Sequence, residues 1–314
     1  MQGIHIFFAT DGSASSRFSQ ALILDMPWRF PVHVTVMTAL DVPDLPFTSW
    51  APVARQAYDD ALNELRSDME AQSRDVLVKA RLALEGKVAS IGTRMHAGTA
   101  GATIVDMARA CRADLVTVGS RGLGAYKGFL LGSVSDYVAN YSRCSVLLAK
   151  TPPKGKRRFL VALDDSAHAA EVVRWLGRLE LSEGTWIHLL KVFRSGRDFP
   201  LPDDDEDVMD GGLSVGKFAA WSGSRMVLEA LCERKLDAEG ARVTVEVRFG
   251  HEVPEILASI RKFEPDLLLL GAKGLHSPPN WPLGKVAQAL LDNAPCSVLV
   301  VRPGDSGSSQ SSFR

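Results

Sequence analysis

Five glycines fall between residues 119 and 135, in the stretch GSRGLGAYKGFLLGSVS, directly after an apolar run. Glycine lets main chain approach a ligand without a Cβ in the way. Gly132 and Ser133 open a segment of helical periodicity. The first N–H groups of a helix, with the positive end of its dipole, favour anions. Ser133 and Ser135 add hydroxyl donors. These residue types suit the holding of a phosphate by main-chain amides, with no lysine required. Asp11 is a second candidate, in the turn TDGSASS that follows the first apolar run. Its carboxylate either faces a ligand or caps the first helix.

Two familiar phosphate loops are excluded. Gly119 and Gly124 have the Walker spacing, but Ala125 and Tyr126 stand where lysine and a hydroxyl residue are needed. Gly122 and Gly124 begin a dinucleotide fingerprint that Lys127 breaks, and the segment follows a fourth strand rather than a first. Other chemistries fail on spacing. HEVPE at 251–255 lacks the second histidine of a zincin. DDDED at 203–207 has Val208 and Ser214 where a calcium loop needs glycine and glutamate, so it reads as a solvated acidic loop. There is no GxSxG elbow and no evident triad. Cys111, Cys144, Cys232 and Cys296 show no CxxC spacing and read as reduced core thiols. No catalytic residue and no protein metal ligand is assigned.

The elements that must position these residues follow from periodicity. GIHIFFAT, VHVTVMTAL, KVASIGTRMHAG, DLVTVG and CSVLLA read as strands. Helices over 15–25, 52–85 and 99–111, and one after the glycine segment, alternate with them. The long helix carries Val53, Ala57, Ala61, Leu65 and Met69 at helical spacing and ends at Gly86. The helix after the glycines presents Val134, Tyr137, Val138 and Tyr141 as one stripe. The alternation predicts an α/β unit with an open, doubly wound, five-stranded parallel sheet flanked by helices. In such sheets ligands sit beyond the carboxyl ends of the strands, where Asp11 and the glycine segment both fall.

The unit occurs twice. Gly98–Lys150 matches Gly250–Arg302 without a gap at fifteen identical positions, and IFFATDGSASS faces FLVALDDSAHA upstream. The expected domains are 1–150 and 159–302, joined by a linker at 151–158 and followed by a disordered Gly/Ser-rich tail at 303–314. The second unit carries the insert RSGRDFPLPDDDEDVMDGG, and Pro254 suits the first turn of a helix over 253–262.

Composition is globular, with 46% apolar and 23% charged residues. The net charge of −1 gives no bulk attraction to nucleic acid or an anionic membrane. No apolar run approaches a membrane span of about 20 residues, and MQGIHIFFATDGS lacks the pattern of a leader. A cytoplasmic location is expected by default.

Gly-x2-Gly-x9-Gly-Ser after a strand, with TDGSASS and CSVLLAK around it, resembles the ATP-binding signature of the universal stress proteins. The resemblance covers nearly all of both units and implies a tandem pair with the adenine nucleotide alpha hydrolase-like fold. It implies that Asp11, with Thr10 beside it, and the backbone near Ala39 flank the adenine. Val118, Gly119 and Gly122 would line the ribose and first phosphates. Gly132, Ser133, Val134 and Ser135 would hold the phosphate tail, with Mg2+, while Arg121 and Lys127 screen its charge. The pyrophosphatase-type SGGxDS loop and the HxGH motif of related enzymes are absent.

The second unit departs from this pattern. Gly271, Gly274 and Gly284 keep the spacing, but Lys285 replaces the serine. Pro278, Pro279 and Pro282 remove main-chain donors. Either Lys285 serves as a phosphate ligand, or this site has lost nucleotide; the second reading is preferred. The resemblance implies an ATP-binding stress-response regulator with a regulatory protein partner. A nucleotide-free scaffold and a slow ATPase or autokinase are the alternatives. It also implies that the fifth strands, CSVLLA and CSVLVV, pair into an internal pseudo-dimer. Association of two chains into a homodimer stays open.

Overall fold

The computed structural model describes residues 3–41, 52–122, 131–164, 166–194, 208–209, 213–214, 240–274, 277 and 282–303. Gly124, Lys127 and Gly128 of the glycine segment lie outside the described residues, as do Cys232, Pro278, Pro279, the acidic run 203–207 and the tail from 304.

The first repeat runs β1 (Ile4–Ala9), α1 (Ala14–Asp25), β2 (Val32–Leu40), α2 (Pro52–Leu84), β3 (Ser90–Ala97), α3 (Ala100–Ala110), β4 (Leu115–Gly119), α4 (Ser133–Tyr141) and β5 (Ser145–Ala149). The second runs β6 (Arg158–Leu163), α5 (Ala167–Leu176), β7 (Trp186–Phe193), a short hairpin of β8 (Val208–Met209) and β9 (Leu213–Ser214), β10 (Arg242–Phe249), α6 (Glu252–Phe263), β11 (Leu267–Gly271), α7 (Lys285–Asn293) and β12 (Ser297–Val301). The hairpin starts in the insert, ends just past it, and was not expected from the sequence.

Ten strands form one sheet in the order β10-β7-β6-β11-β12-β5-β4-β1-β2-β3. Every pair is parallel except β12 with β5, which pair antiparallel through Val298–Leu148, Leu299–Leu147 and Val300–Val146. β4, β5, β11 and β12 are apolar along nearly their whole length because both faces are covered. One core joins α1, α2 and α5 to the sheet, and the other joins α3, α4, α6 and α7 to its opposite face. Both cores run through the two repeats.

The antiparallel pair marks a pseudo-twofold axis. Leu147 and Leu299 are equivalent positions of the repeat and stand opposite each other. On the α4–α7 face the equivalent residues Asp136 and Gln288, 152 positions apart, meet through a 3.0 Å hydrogen bond. The main-chain N–H of Lys150 donates to Ser297 Oγ at 3.1 Å, and that of Arg302 donates to Ser145 Oγ at 3.2 Å. On the other face Trp28 meets Trp175 edge to face at 5.8 Å. Arg29 N–H donates to the Arg178 carbonyl there.

Two expected helix faces are corrected. In α4 the buried residues are Ser135, Val138 and Ala139. Tyr137 and Tyr141 are 40% and 55% exposed, and Val134 is exposed too. In α2 the residues Ala57, Ala61 and Leu65 are exposed, and burial falls on Ser73, Leu77, Ala80 and Leu84. Among the described residues no helix is long and apolar enough to cross a membrane. Cys296 is buried, which pushes its thiol up to about 11. Cys111 and Cys144 are half-buried and free.

A charged network fastens α6 to β7 and β10. A Glu246 oxygen accepts from Ser259 Oγ at 3.0 Å and lies 2.9 Å from His188 Nε2; the other accepts from Arg248 Nε at 3.1 Å. Burial opposes ionisation of Glu246, but these hydrogen bonds and the Arg248 charge outweigh it and hold the carboxyl at about 2. A depressed carboxylate stabilises the fold above its unfolded value, and that contribution is lost as pH falls from about 4.5 through about 2. The expected contribution is about 1–2 kcal/mol once solvent screening is allowed for. Urea unfolding from pH 7 to pH 2 checks it: the stability difference between the parent and Glu246→Gln should shrink toward zero across that window.

Candidate functional site

The strand order places β1 beside β4, with β2 and β3 on one side and β5 on the other. Chain leaving β1 and chain leaving β4 therefore diverge, and a crevice opens at their carboxyl ends. Thr10 and Asp11 follow β1. Gly119 ends β4, and Ser120–Gly122 follow it.

The β1 turn is locally fixed. Asp11 Oδ1 accepts from Ser13 N–H at 2.9 Å, the pattern of an Asx turn. Gly12 turns the chain with φ +77 and donates its N–H to Thr10 Oγ1. Ser13 is the N-cap of α1, its hydroxyl accepting from Ser16 N–H at 3.2 Å. The capping alternative for Asp11 is thus replaced: Ser13 caps, and Asp11 orients the cap. Thr10 is buried; its N–H donates to the Met37 carbonyl, and its own carbonyl accepts from Thr38 Oγ1. That pins the end of β1 to the end of β2 just before Ala39, which is half-buried.

The loop after β4 is tied to the same turn. Ser13 Oγ donates to the Arg121 carbonyl at 3.2 Å, and Ser15 Oγ donates to that carbonyl as well. Arg121 N–H donates back to Ser15 Oγ. A Cβ on Gly122 would stand 3.0 Å from Asp11 Oδ2, so this glycine faces the Asp11 carboxylate. Gly132 is the N-cap of α4, and its N–H donates to the Ser120 carbonyl at 2.9 Å. Ser133, Val134 and Ser135 are the first residues of α4, whose leading N–H groups have no intrahelical acceptor. Ser133 and Val134 are exposed.

Three of the sequence-selected residues have other duties in this geometry. Ser135 is buried, and its hydroxyl is engaged by the Ser120 and Gly132 carbonyls at 3.0 and 2.8 Å. Val118 packs in the α3–α4 core. At Gly119 an added Cβ would meet Ser16 N at 2.6 Å and Ser15 C at 2.7 Å. Ser13, Ser15 and Ser120 were not singled out from the sequence. The signal for Ser13 and Ser15 was the serine-rich run after Asp11, and for Ser120 its place between Gly119 and Gly122.

The second repeat keeps the scaffold and changes the contents. Gly284 caps α7 with φ −73 and ψ 149, against −71 and 149 for Gly132. A Cβ on Gly274 would meet Asp164 Oδ2 at 2.9 Å, as Gly122 does with Asp11. Here Gly274 N–H donates to Ser277 Oγ at 3.1 Å, and a Cβ on Gly284 would meet that same oxygen at 2.9 Å. The Ser277 hydroxyl occupies the space between the two glycines. Lys285 begins α7 and adds positive charge at the positive end of the helix dipole.

Paired doubly wound domains, each with an Asx turn facing a glycine loop at the strand switch, define an α/β protein of the adenine nucleotide alpha hydrolase-like fold. A model of the universal stress protein family matches residues 5–150 and again 156–302, and the chain belongs to that family with two domains in tandem. A putative universal stress protein of Staphylococcus saprophyticus is 28% identical over 149 residues, covering 46% of this chain and 83% of the relative. A universal stress protein of Methanocaldococcus jannaschii is 28% identical over 149 residues, covering 48% and 83%. Among solved structures, a universal stress protein from Archaeoglobus fulgidus shares the fold over 96% of this chain and 97% of its own, with TM-score 0.66 and 21% identity.

Proposed function

We propose that this protein is a nucleotide-binding stress-response regulator whose first domain holds ATP. The observation that carries the reading is the meeting of Asp11 with Gly122 beside the open N-terminus of α4. Asp11 and the β2 end near Ala39 take the adenosine end of the ligand. Gly122, Arg121 and the N–H groups of Ser133, Val134 and Ser135 take the phosphates. Among the described residues no cluster of three metal-ligating side chains exists. Mg2+ would be held mainly through phosphate oxygens and water, in keeping with its preference for retained waters. We assign no hydrolytic step.

The filled space at Ser277 supports the reading that domain 2 is a structural partner without nucleotide. Mass spectrometry of ligand released from the purified chain, with equilibrium ATP–Mg2+ binding, tests both readings. One nucleotide per chain is expected. Gly132→Glu places a carboxylate where phosphate would lie and is expected to weaken binding about a hundredfold or more. Gly132→Ala serves as the control for bulk, since its Cβ would meet Ser120 O and Ser135 Oγ tightly, at 3.3 Å, without adding charge. No measurable affinity at millimolar ATP would sink the proposal, and two nucleotides per chain would overturn the assignment to domain 1.

A further inference from the structure

The junction of the two repeats forms a half-open cavity of about 370 Å3. The start of α1 and Ser120–Gly122 line it from domain 1, and the α7–β12 connection lines it from domain 2. It shares Arg121 and Gly122 with the candidate nucleotide site, while Asp11, Gly132 and Ser133 are not among its walls. Lys150 enters from the end of β5, and its Nζ donates to the Ala294 carbonyl at 2.7 Å, at the carboxyl end of α7. Two further protons of that ammonium have no acceptor among the described residues. Nor does the Arg121 guanidinium, which lines the same space. Among the described residues Asp292 is the one carboxylate in the lining, against the two cations Lys150 and Arg121. Phe18 and Leu131 supply an apolar side.

At the symmetry-related position Arg302 donates from Nη2 to the Ala139, Asn140 and Pro282 carbonyls, while its buried Nη1 has no partner among the described residues. Lys150 reaches one carbonyl and leaves the remaining space open.

We propose that this junction cavity is a second ligand site, for a small organic anion (a carboxylate or a phosphate monoester) with a compact apolar body. The anionic group lies on Lys150, and the body lies against Phe18 and Leu131. The state of Lys150 agrees with a missing counter-charge. Burial pushes its ammonium down to about 8, with Cys296 and Asp292 opposing that shift and Arg121 adding to it. A bound anion favours the charged form, so binding takes up a proton above pH ~8 and weakens as pH rises. Because its walls come from both repeats, an occupied cavity ties domain 1 to domain 2.

Calorimetric titration of the full chain with benzoate and with phenyl phosphate tests the site. One site per chain is expected, and the preferred probe identifies the anion class. Affinity should be lower at pH 9.5 than at pH 7, by about threefold or more. Lys150→Met should weaken the probe about tenfold or more while leaving ATP binding intact. If that variant folds poorly, Lys150→Gln keeps a donor for the Ala294 carbonyl and should show the same loss. Absence of binding by both probes at about 10 mM, unchanged affinity in the Lys150 variants, or displacement of the probe by saturating ATP would each overturn the proposal.

Discussion

Leu299→Asp is expected to break the ten-stranded sheet at its centre and to cost more than about 5 kcal/mol. Leu299 and its opposite residue Leu147 are 0% and 1% exposed. They lie on the pseudo-twofold axis, in the core shared by α1 and α5. Truncating a buried leucine removes about 3 kcal/mol, and a buried carboxyl with no placed partner adds several more. That sum is comparable to the whole stability of an ordinary domain. Leu299→Val stays apolar, removes one methylene and should cost about 1 kcal/mol. Urea unfolding followed by circular dichroism reads the ranking. It also tests cooperativity, because cores that run through both repeats predict a single transition for the parent. An aspartate variant with the parent's midpoint would show that β5 and β12 do not pair in solution.

That joint was legible through the family resemblance, which implies pairing of fifth strands, together with the repeat, which lets the pairing fall within one chain. Two apolar edge strands left exposed would otherwise be a liability. The strands covered on both faces were legible for a related reason: DLVTVG and CSVLLA have no polar alternation to give one face to water. The helix faces were less so. Helix α2 has 33 residues and spans about 50 Å. Strand β2, which it covers, has nine and spans about 30 Å. Helical spacing in its first half thus continues past the end of the sheet, where Ala57, Ala61 and Leu65 are exposed. In α4 the period was right and the arc was wrong. Tyr137 lies over Gly101 of α3, while the small residues Ser135 and Ala139 turn inward with Val138. Periodicity fixes spacing; it does not say which arc meets the sheet when small residues allow close approach.

The site divides in the same way, and Gly119 shows where. Gly119→Ala is expected to destabilise the nucleotide-free protein by about 3 kcal/mol. Its φ is not left-handed, so backbone conformation does not require glycine there. What requires it is the first turn of α1, because the new Cβ would lie 2.6 Å from Ser16 N and 2.7 Å from Ser15 C. Those are main-chain atoms and cannot rotate aside; α1 must move. Ser13 and Ser15 travel with α1, and both hydroxyls hold the Arg121 carbonyl, so the phosphate loop moves too. Nucleotide affinity should fall as a consequence. Gly122→Ala is the contrast, since its Cβ would meet only the end of the Asp11 side chain, at 3.0 Å. It should cost about 1 kcal/mol or less in stability yet still weaken nucleotide. Thermal and urea midpoints without ligand, beside ATP titrations, separate the two. Parent-like stability with lost binding in Gly119→Ala would make that glycine a ligand contact alone. The expected order, stability first and binding through it, makes it the packing contact that sets the distance between β4 and α1, and so the width of the crevice.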